Sequence, residues 1–256
     1  QFFITTAQAA GRIKSLITNG FRLGTQSEVN ANAGTYRYVA WGNASTQPVL
    51  TQSAYRFFQN SDATNVGATS TVAQDTTSTL SAAGDAFRLR TLMSVDSAVL
   101  TQGSMDFKLQ YVDKGSGTCA APVGGTPETY VHVELATSIA YNNNATPADG
   151  VALTANANDP TVGGRTIVNQ TYEESNNYTN SQASILGGQA GKWDFALIDN
   201  GAAANTTFCF RMTQFDGTEL DAYSVYPEIT TAAGDVEQEQ SLTFSISNNT
   251  VGFGTL

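Results

Sequence analysis

A single histidine, His132 in YVHVELA, limits the chemistry this 256-residue chain could carry. One imidazole cannot build a histidine-rich metal site, and a serine-histidine-aspartate triad would lack the G-x-S-x-G elbow that presents its nucleophile. The alternating setting of His132 makes it a structural or exposed strand position rather than a catalytic one. No glycine-rich phosphate loop leads into a helix. The adjacent carboxylates Glu173 and Glu174 in NQTYEESNN come nearest to a glycosidase pair. Neighbours on a strand point to opposite faces, whereas glycosidase carboxylates face one cleft across a sugar. The pair therefore reads as a solvated loop or strand edge. No catalytic residue is assigned, and the chain is not expected to be an enzyme.

Among ions, calcium suits the sequence best. The oxygen-rich loops YNNNATPADG and NANDPTVGG offer Asp149, Asp159 and several asparagine carbonyls, without EF-hand spacing. Ordinary Asx turns explain the same residues. The expectation is thus no cofactor and no metal, with calcium at Asp149 and Asp159 as the minor alternative. Surface fibres sometimes cross-link lysine to asparagine through a buried carboxyl group. Lys108 and Lys14 lie on strand-like segments and Asn248 or Asn249 could face one of them, but a solvated lysine is the plainer account. Cys119 and Cys209 stand in no metal-ligand spacing. Cys209 lies in the strong strand TTFCFRMTQF, where a buried thiol is ordinary; Cys119, in the loop KGSGTCAAPVGG, should be exposed. A bridge between them resolves the difference. It would close a loop of about 90 residues, worth roughly 4–5 kcal/mol of chain entropy, and implies an oxidising, extracytoplasmic location.

Composition supports that setting. Charged residues make up 13% of the chain, about half the globular norm, and Thr, Ser, Asn, Gln, Ala and Gly stand in their place. The net charge of −10 argues against nucleic acid. No run of apolar residues approaches membrane-spanning length. Hydrophobic residues at 41% are too many for a disordered chain.

The elements that would position these residues read as strands. Asn19-Gly20 is a hairpin signal between RIKSLI and FRLG, although an amphipathic helix over residues 7–17 competes with the first strand. Residues 43–52 read as a linker. Beyond them AYRFFQN, AFRLRTLMSV, MDFKLQYV, YVHVELA, TIVNQTY, WDFALID, TTFCFRMTQF and YSVYPEIT follow at sandwich-like spacing, with a turn at Asp216-Gly217. In AFRLRTLMSV, Phe87, Leu89 and Thr91 oppose Arg88, Arg90 and Leu92. The predicted fold class is all-β: an immunoglobulin- or fibronectin-III-like antiparallel sandwich. The predicted divisions are an N-terminal β segment over residues 1–48, the sandwich over 49–231, and a C-terminal linker and strand over 232–256.

Several of these blocks, with NQTYEESNNYTNSQASILGGQAGKWDFALIDNGAAANTTFCFR and YSVYPEITT, resemble a domain repeated in large predicted surface proteins of ultrasmall candidate-phyla bacteria. The likeness covers about residues 53–231 and includes the paired cysteines. LTFSIS…GFGTL resembles the start of a further module, and GFRLGTQSEVNANAGTYRYVAW the tail of a β-module found in phage and surface fibre proteins. The resemblance implies an extracellular, modular, adhesin-like or polymer-forming component without known catalytic activity.

Both chain ends are apolar and strand-like. Leu242, Phe244 and Ile246 alternate with polar residues, Val251, Phe253 and Leu256 follow, and Phe2, Phe3 and Ile4 stand at the other end. The leading expectation is a structural subunit of an extracellular filament or surface layer, with copies of itself as partners and a C-terminal strand exchanged between them. The alternative is a monomeric adhesin module binding cell-surface glycans, with Trp41, Trp193, Tyr178 and Tyr172 stacking on sugars. Neither nucleic acid nor membrane insertion is expected.

Overall fold

A computed structural model of the chain describes residues 13–17, 20–23, 47–176 and 178–234. Two compact units divide at Thr46 and Gln47. In the first, β1 (Ile13–Ile17) pairs antiparallel with β2 (Gly20–Leu23), Ile17 opposite Gly20. The helical alternative is thus corrected over residues 13–17: β-branched Ile13 and Ile17 favour the pleated backbone, and a partner strand satisfies it. Gly20 is itself paired, as the first residue of β2.

The described residues of the second unit form twelve strands and no helix. They are β3 (Val49–Gln59), β4 (Ser78–Thr79), β5 (Ala86–Asp96), β6 (Asp106–Asp113), β7 (Val131–His132), β8 (Ile139–Tyr141), β9 (Ile167–Glu173), β10 (Tyr178–Thr179), β11 (Ala190–Asp199), β12 (Thr207–Gln214), β13 (Ala222–Tyr223) and β14 (Glu228–Thr230). The first sheet runs β13-β3-β5-β11-β8, with β9 also on β11; the second runs β10-β6-β12-β14-β4, with β7 also on β6. The long pairings are antiparallel, and the pairs β9–β11, β13–β3 and β14–β4 are parallel. The expected linker is shorter than residues 43–52, because Val49 to Gln52 already pair with β5.

Period-two alternation builds the core. Phe57, Phe87, Leu89, Trp193, Phe195 and Leu197 of the first sheet face Phe107, Leu109, Tyr111, Phe208, Phe210 and Met212 of the second. Phe87 meets Phe210 with ring centroids 6.4 Å apart, and Phe107 meets Trp193 at 5.8 Å. The other faces of the sheets are not left to water. Strand β5 is buried on both faces from Phe87 to Val95. Backbone from the segments 61–72 and 154–159 lies over the outer side of the first sheet, where Ser61, Ala63 and Thr64 carbonyls accept from Arg88 and Arg90, and Val72 and Asn158 carbonyls from Arg56.

The outer side of the second sheet is covered by the segment 114–130. Cys119 and Cys209 are bonded, with Cα atoms 5.5 Å apart across a separation of 90 residues. The expected exposure of Cys119 is corrected to 5%, because its loop folds onto Val112 and Cys209 and its carbonyl accepts from Tyr130 Oη at 2.9 Å. Replacing both cysteines by alanine is expected to lower unfolding free energy by about 4–5 kcal/mol if chain entropy dominates, measured by urea denaturation. A loss below about 1 kcal/mol would show that the loop is held by packing alone.

Candidate functional site

Arg88, Arg90, Lys192 and Asp194 gather on the outer face of the first sheet. Register pairs Arg90 with Asp194 across β5 and β11 and sets Lys192 opposite Leu92. Asp194 Oδ1 accepts from Arg88 Nε at 2.9 Å, and its Oδ2 from Arg88 Nη2 at 2.8 Å and Arg90 Nε at 2.7 Å. Asp159, arriving from the 154–159 segment, accepts from Arg90 Nη1 and Lys192 Nζ. Arg88, Arg90, Lys192 and Asp194 are each 0% exposed. The Arg88 guanidinium lies 4.2 Å from the centre of the Tyr172 ring. Burial lowers the affinity of the Lys192 amine for its proton, and the contact with Asp159 opposes this.

This arrangement corrects the calcium reading at Asp159. Its carboxylate is already shared by a guanidinium and an ammonium and accepts from Asn156 N at 2.8 Å, so a divalent cation would meet two positive neighbours. The reading of Glu173 and Glu174 is corrected in part. They do point to opposite faces, but neither is solvated. Glu174 Oε1 accepts from the Tyr172 hydroxyl at 2.5 Å and Asn144 N at 2.6 Å. Glu173, 2% exposed, follows Phe195 on β9 and β11 toward the interior and accepts from the Thr171 hydroxyl. Burial raises its pKa from the ordinary 4.5 to about 8; the Thr171 bond opposes the rise and Asp149 adds to it. Asp149 accepts from Glu174 N at 2.6 Å and Ser175 Oγ at 2.8 Å, long-range contacts that tie its loop to the end of β9 rather than an Asx turn.

Other expected residues are dispersed. His132 is half-buried on β7 with Nδ1 lacking a hydrogen-bond partner, its proton affinity lowered by burial and by Lys108. Lys108 holds its ammonium 4.4 Å from the Phe215 ring centre. Trp193, Tyr172 and Tyr178 are buried and cannot stack on a sugar. Trp41, the side chain of Lys14, Asn248, Asn249, and the end segments with Phe2, Phe3, Ile4, Leu242, Phe244, Ile246, Val251, Phe253 and Leu256 lie outside the described residues.

One feature that strand periodicity does not disclose is an open seam between the sheets. A cavity of about 350 Å³ has Phe57, Leu80, Phe87 and Ile229 in its lining and Thr71, Ser78 and Asp85 around them. It adjoins β4, a two-residue strand whose far side pairs with no described strand. The poles of this unit also matter. Val49 pairs with Asp96 at one end of β5, whereas Thr231–Gly234 leave beside Asp199 and Ser81 at the other. Ten residue steps of β5 separate the two by about 33 Å.

No protein-family model matches the chain, and no curated protein matches it. No helix among the described residues is long and apolar enough to cross a membrane.

Asp194→Asn should cost about 3–5 kcal/mol in urea unfolding, because two buried guanidiniums lose their charged acceptor. A cost below about 1 kcal/mol would mean that backbone carbonyls suffice. Glu173 gives a second test. Its neutral form is favoured in the folded state, so its stabilising effect is fully present below about pH 4.5 and is lost as pH rises through about 8. In metal-free buffer the melting temperature should fall across that window, and Glu173→Gln should flatten the fall. An unchanged slope in the variant would rule out this source.

Proposed function

We propose that the protein is a structural subunit of an extracellular filament or surface layer, assembled head-to-tail by β-strand addition. The open seam beside β4 carries this reading, because it offers an apolar floor next to a strand edge that no described strand pairs. The donor is the C-terminal segment of a neighbouring copy. The 22 residues after Gly234 reach about 70–80 Å when extended, about twice the length of β5, which suffices for the seam of a copy stacked on the exit pole.

The energetics require the whole tail. Burying Leu242, Ile246 and Phe244 alone yields about 5–9 kcal/mol gross, within the roughly 4–15 kcal/mol that association costs. Adding Val251, Phe253 and Leu256 brings the gross gain to about 9–18 kcal/mol. Donor segment and acceptor seam are different surfaces, so the contact is heterologous and propagates as a fibre instead of closing as a dimer. Scarce surface charge allows lateral packing, and the Cys119–Cys209 bridge suits an oxidising exterior. The segment with Phe2, Phe3 and Ile4 is the second joint in this scheme. The competing arrangement folds the tail into the seam of its own chain.

Negative-stain microscopy should show filaments for the full chain and dispersed particles for a variant lacking residues 240–256. Excess synthetic peptide of that sequence should shorten the filaments by occupying the seam. Dispersed monomers in both proteins would overturn the polymer reading.

A further inference from the structure

The fold gives its buried aspartates cationic partners on the outer face of the first sheet, but it gives none to Glu173. Neither Glu173 nor Asp149 is ion-paired with a described residue. The two line one cavity of about 160 Å³ at the margin where β9 of the first sheet meets β10 of the second, with Thr171, Tyr178, Thr179 and Ser181. Two of the buried polar atoms that lack any hydrogen-bond partner, Tyr178 Oη and Thr179 Oγ1, belong to residues lining it. Tyr178 is 2% exposed. Negative charge on Glu173 contributes to raising the phenols of Tyr178 and Tyr141, after burial and, for Tyr178, the neighbouring Tyr141. A buried carboxyl group with no cationic partner among the described residues, beside orphaned hydroxyls around one opening, is an arrangement that buried polar groups avoid unless something fills it.

We propose that Glu173 and Asp149 hold a calcium ion in this cavity, with the Thr179 and Tyr178 hydroxyls bonding to the ion or its waters. Every polar side chain facing the cavity ends in oxygen, which selects a hard cation. Asp149 is already fixed by Glu174 N and Ser175 Oγ. An irregular set anchored at one side suits calcium, with its variable coordination of six to eight oxygens, better than the strict octahedron of magnesium. The volume equals that of about five waters at ~30 Å³ each, enough for an ion that keeps part of its hydration shell. The site is separate from the seam beside β4 and does not depend on assembly.

The test uses the full chain after chelation, titrated with terbium(III). Tyr178 and Trp193, 6.1 Å apart by ring centroid, would sensitise its luminescence. A saturable signal at one ion per chain, displaced by calcium and not by equimolar magnesium, is expected. Glu173→Gln and Asp149→Asn should each weaken terbium and calcium binding at least tenfold, while Glu134→Gln on the surface leaves it unchanged. Glu173→Gln puts a neutral side chain of similar size in place of the buried carboxyl and so should remain folded, as circular dichroism would verify. Calcium should raise the melting temperature of the parent protein and not that of this variant. No saturable signal, or one that survives Glu173→Gln, would overturn the site. Equal displacement by magnesium would overturn its assignment to calcium.

Discussion

The carboxylate of Asp194, gripped by Arg88 and Arg90 away from water, is the constraint around which the rest of the sandwich is arranged. An isolated buried charge costs several kcal/mol, and attraction repays it only where geometry is close and remaining donors are satisfied. The guanidiniums satisfy theirs with the carbonyls of Ser61, Ala63 and Thr64. The segment 61–64 must therefore lie on the sheet, and Asp159 must bring the 154–159 segment beside it to meet Arg90 and Lys192. Register is fixed by the same contact. A slip of one residue between β5 and β11 would send Asp194 into the aromatic core and Phe195 into the charged layer.

The two outer faces solve one problem by different means. Each sheet carries an irregular cover, held over the first by ion pairs and over the second by the Cys119–Cys209 bridge. Ion pairs shielded from solvent are little screened by salt, and a disulfide is indifferent to it. The cost is compositional. Arg88, Arg90 and Lys192 are spent inside a chain with only 12 Lys and Arg in all, which leaves an even less cationic surface. With both faces covered, the margins between the sheets are where solvent reaches the interior, and both cavities considered as binding sites open there.

Period-two patterning made the long strands legible, because each needed only one apolar face to announce itself. It could not distinguish a polar face in water from one beneath a loop. The alternation of Arg88 and Arg90 with Leu89 looks the same in both cases, so the charged layer was invisible until Asp159 was placed in space. The deduction that Glu173 and Glu174 diverge followed from strand geometry and holds. Their burial did not follow, since it depends on β10 and on the loop around Asp149. The disulfide was legible because two cysteines allow one intramolecular pairing. The two-residue strand β4 left no periodic trace, so the seam beside it was not legible either, whereas β7 fell within the expected strand YVHVELA.

In a filament of the proposed kind, tension would enter near Val49 and leave beyond Gly234, at opposite poles of the sandwich. Pulling along that axis loads the ten paired positions of β3 and β5 together in shear, where hydrogen bonds resist jointly instead of opening one after another. The bridge adds a limit. Residues between Cys119 and Cys209 cannot extend while the disulfide is intact, so force can lengthen only the segments on either side of that loop. These include β3, β5 and β6 before it and β14 after it. The charged layer lies across the same path, tying β5 to β11 through side chains as well as backbone. The features that stabilise one isolated sandwich are thus placed where a chain of them would carry load.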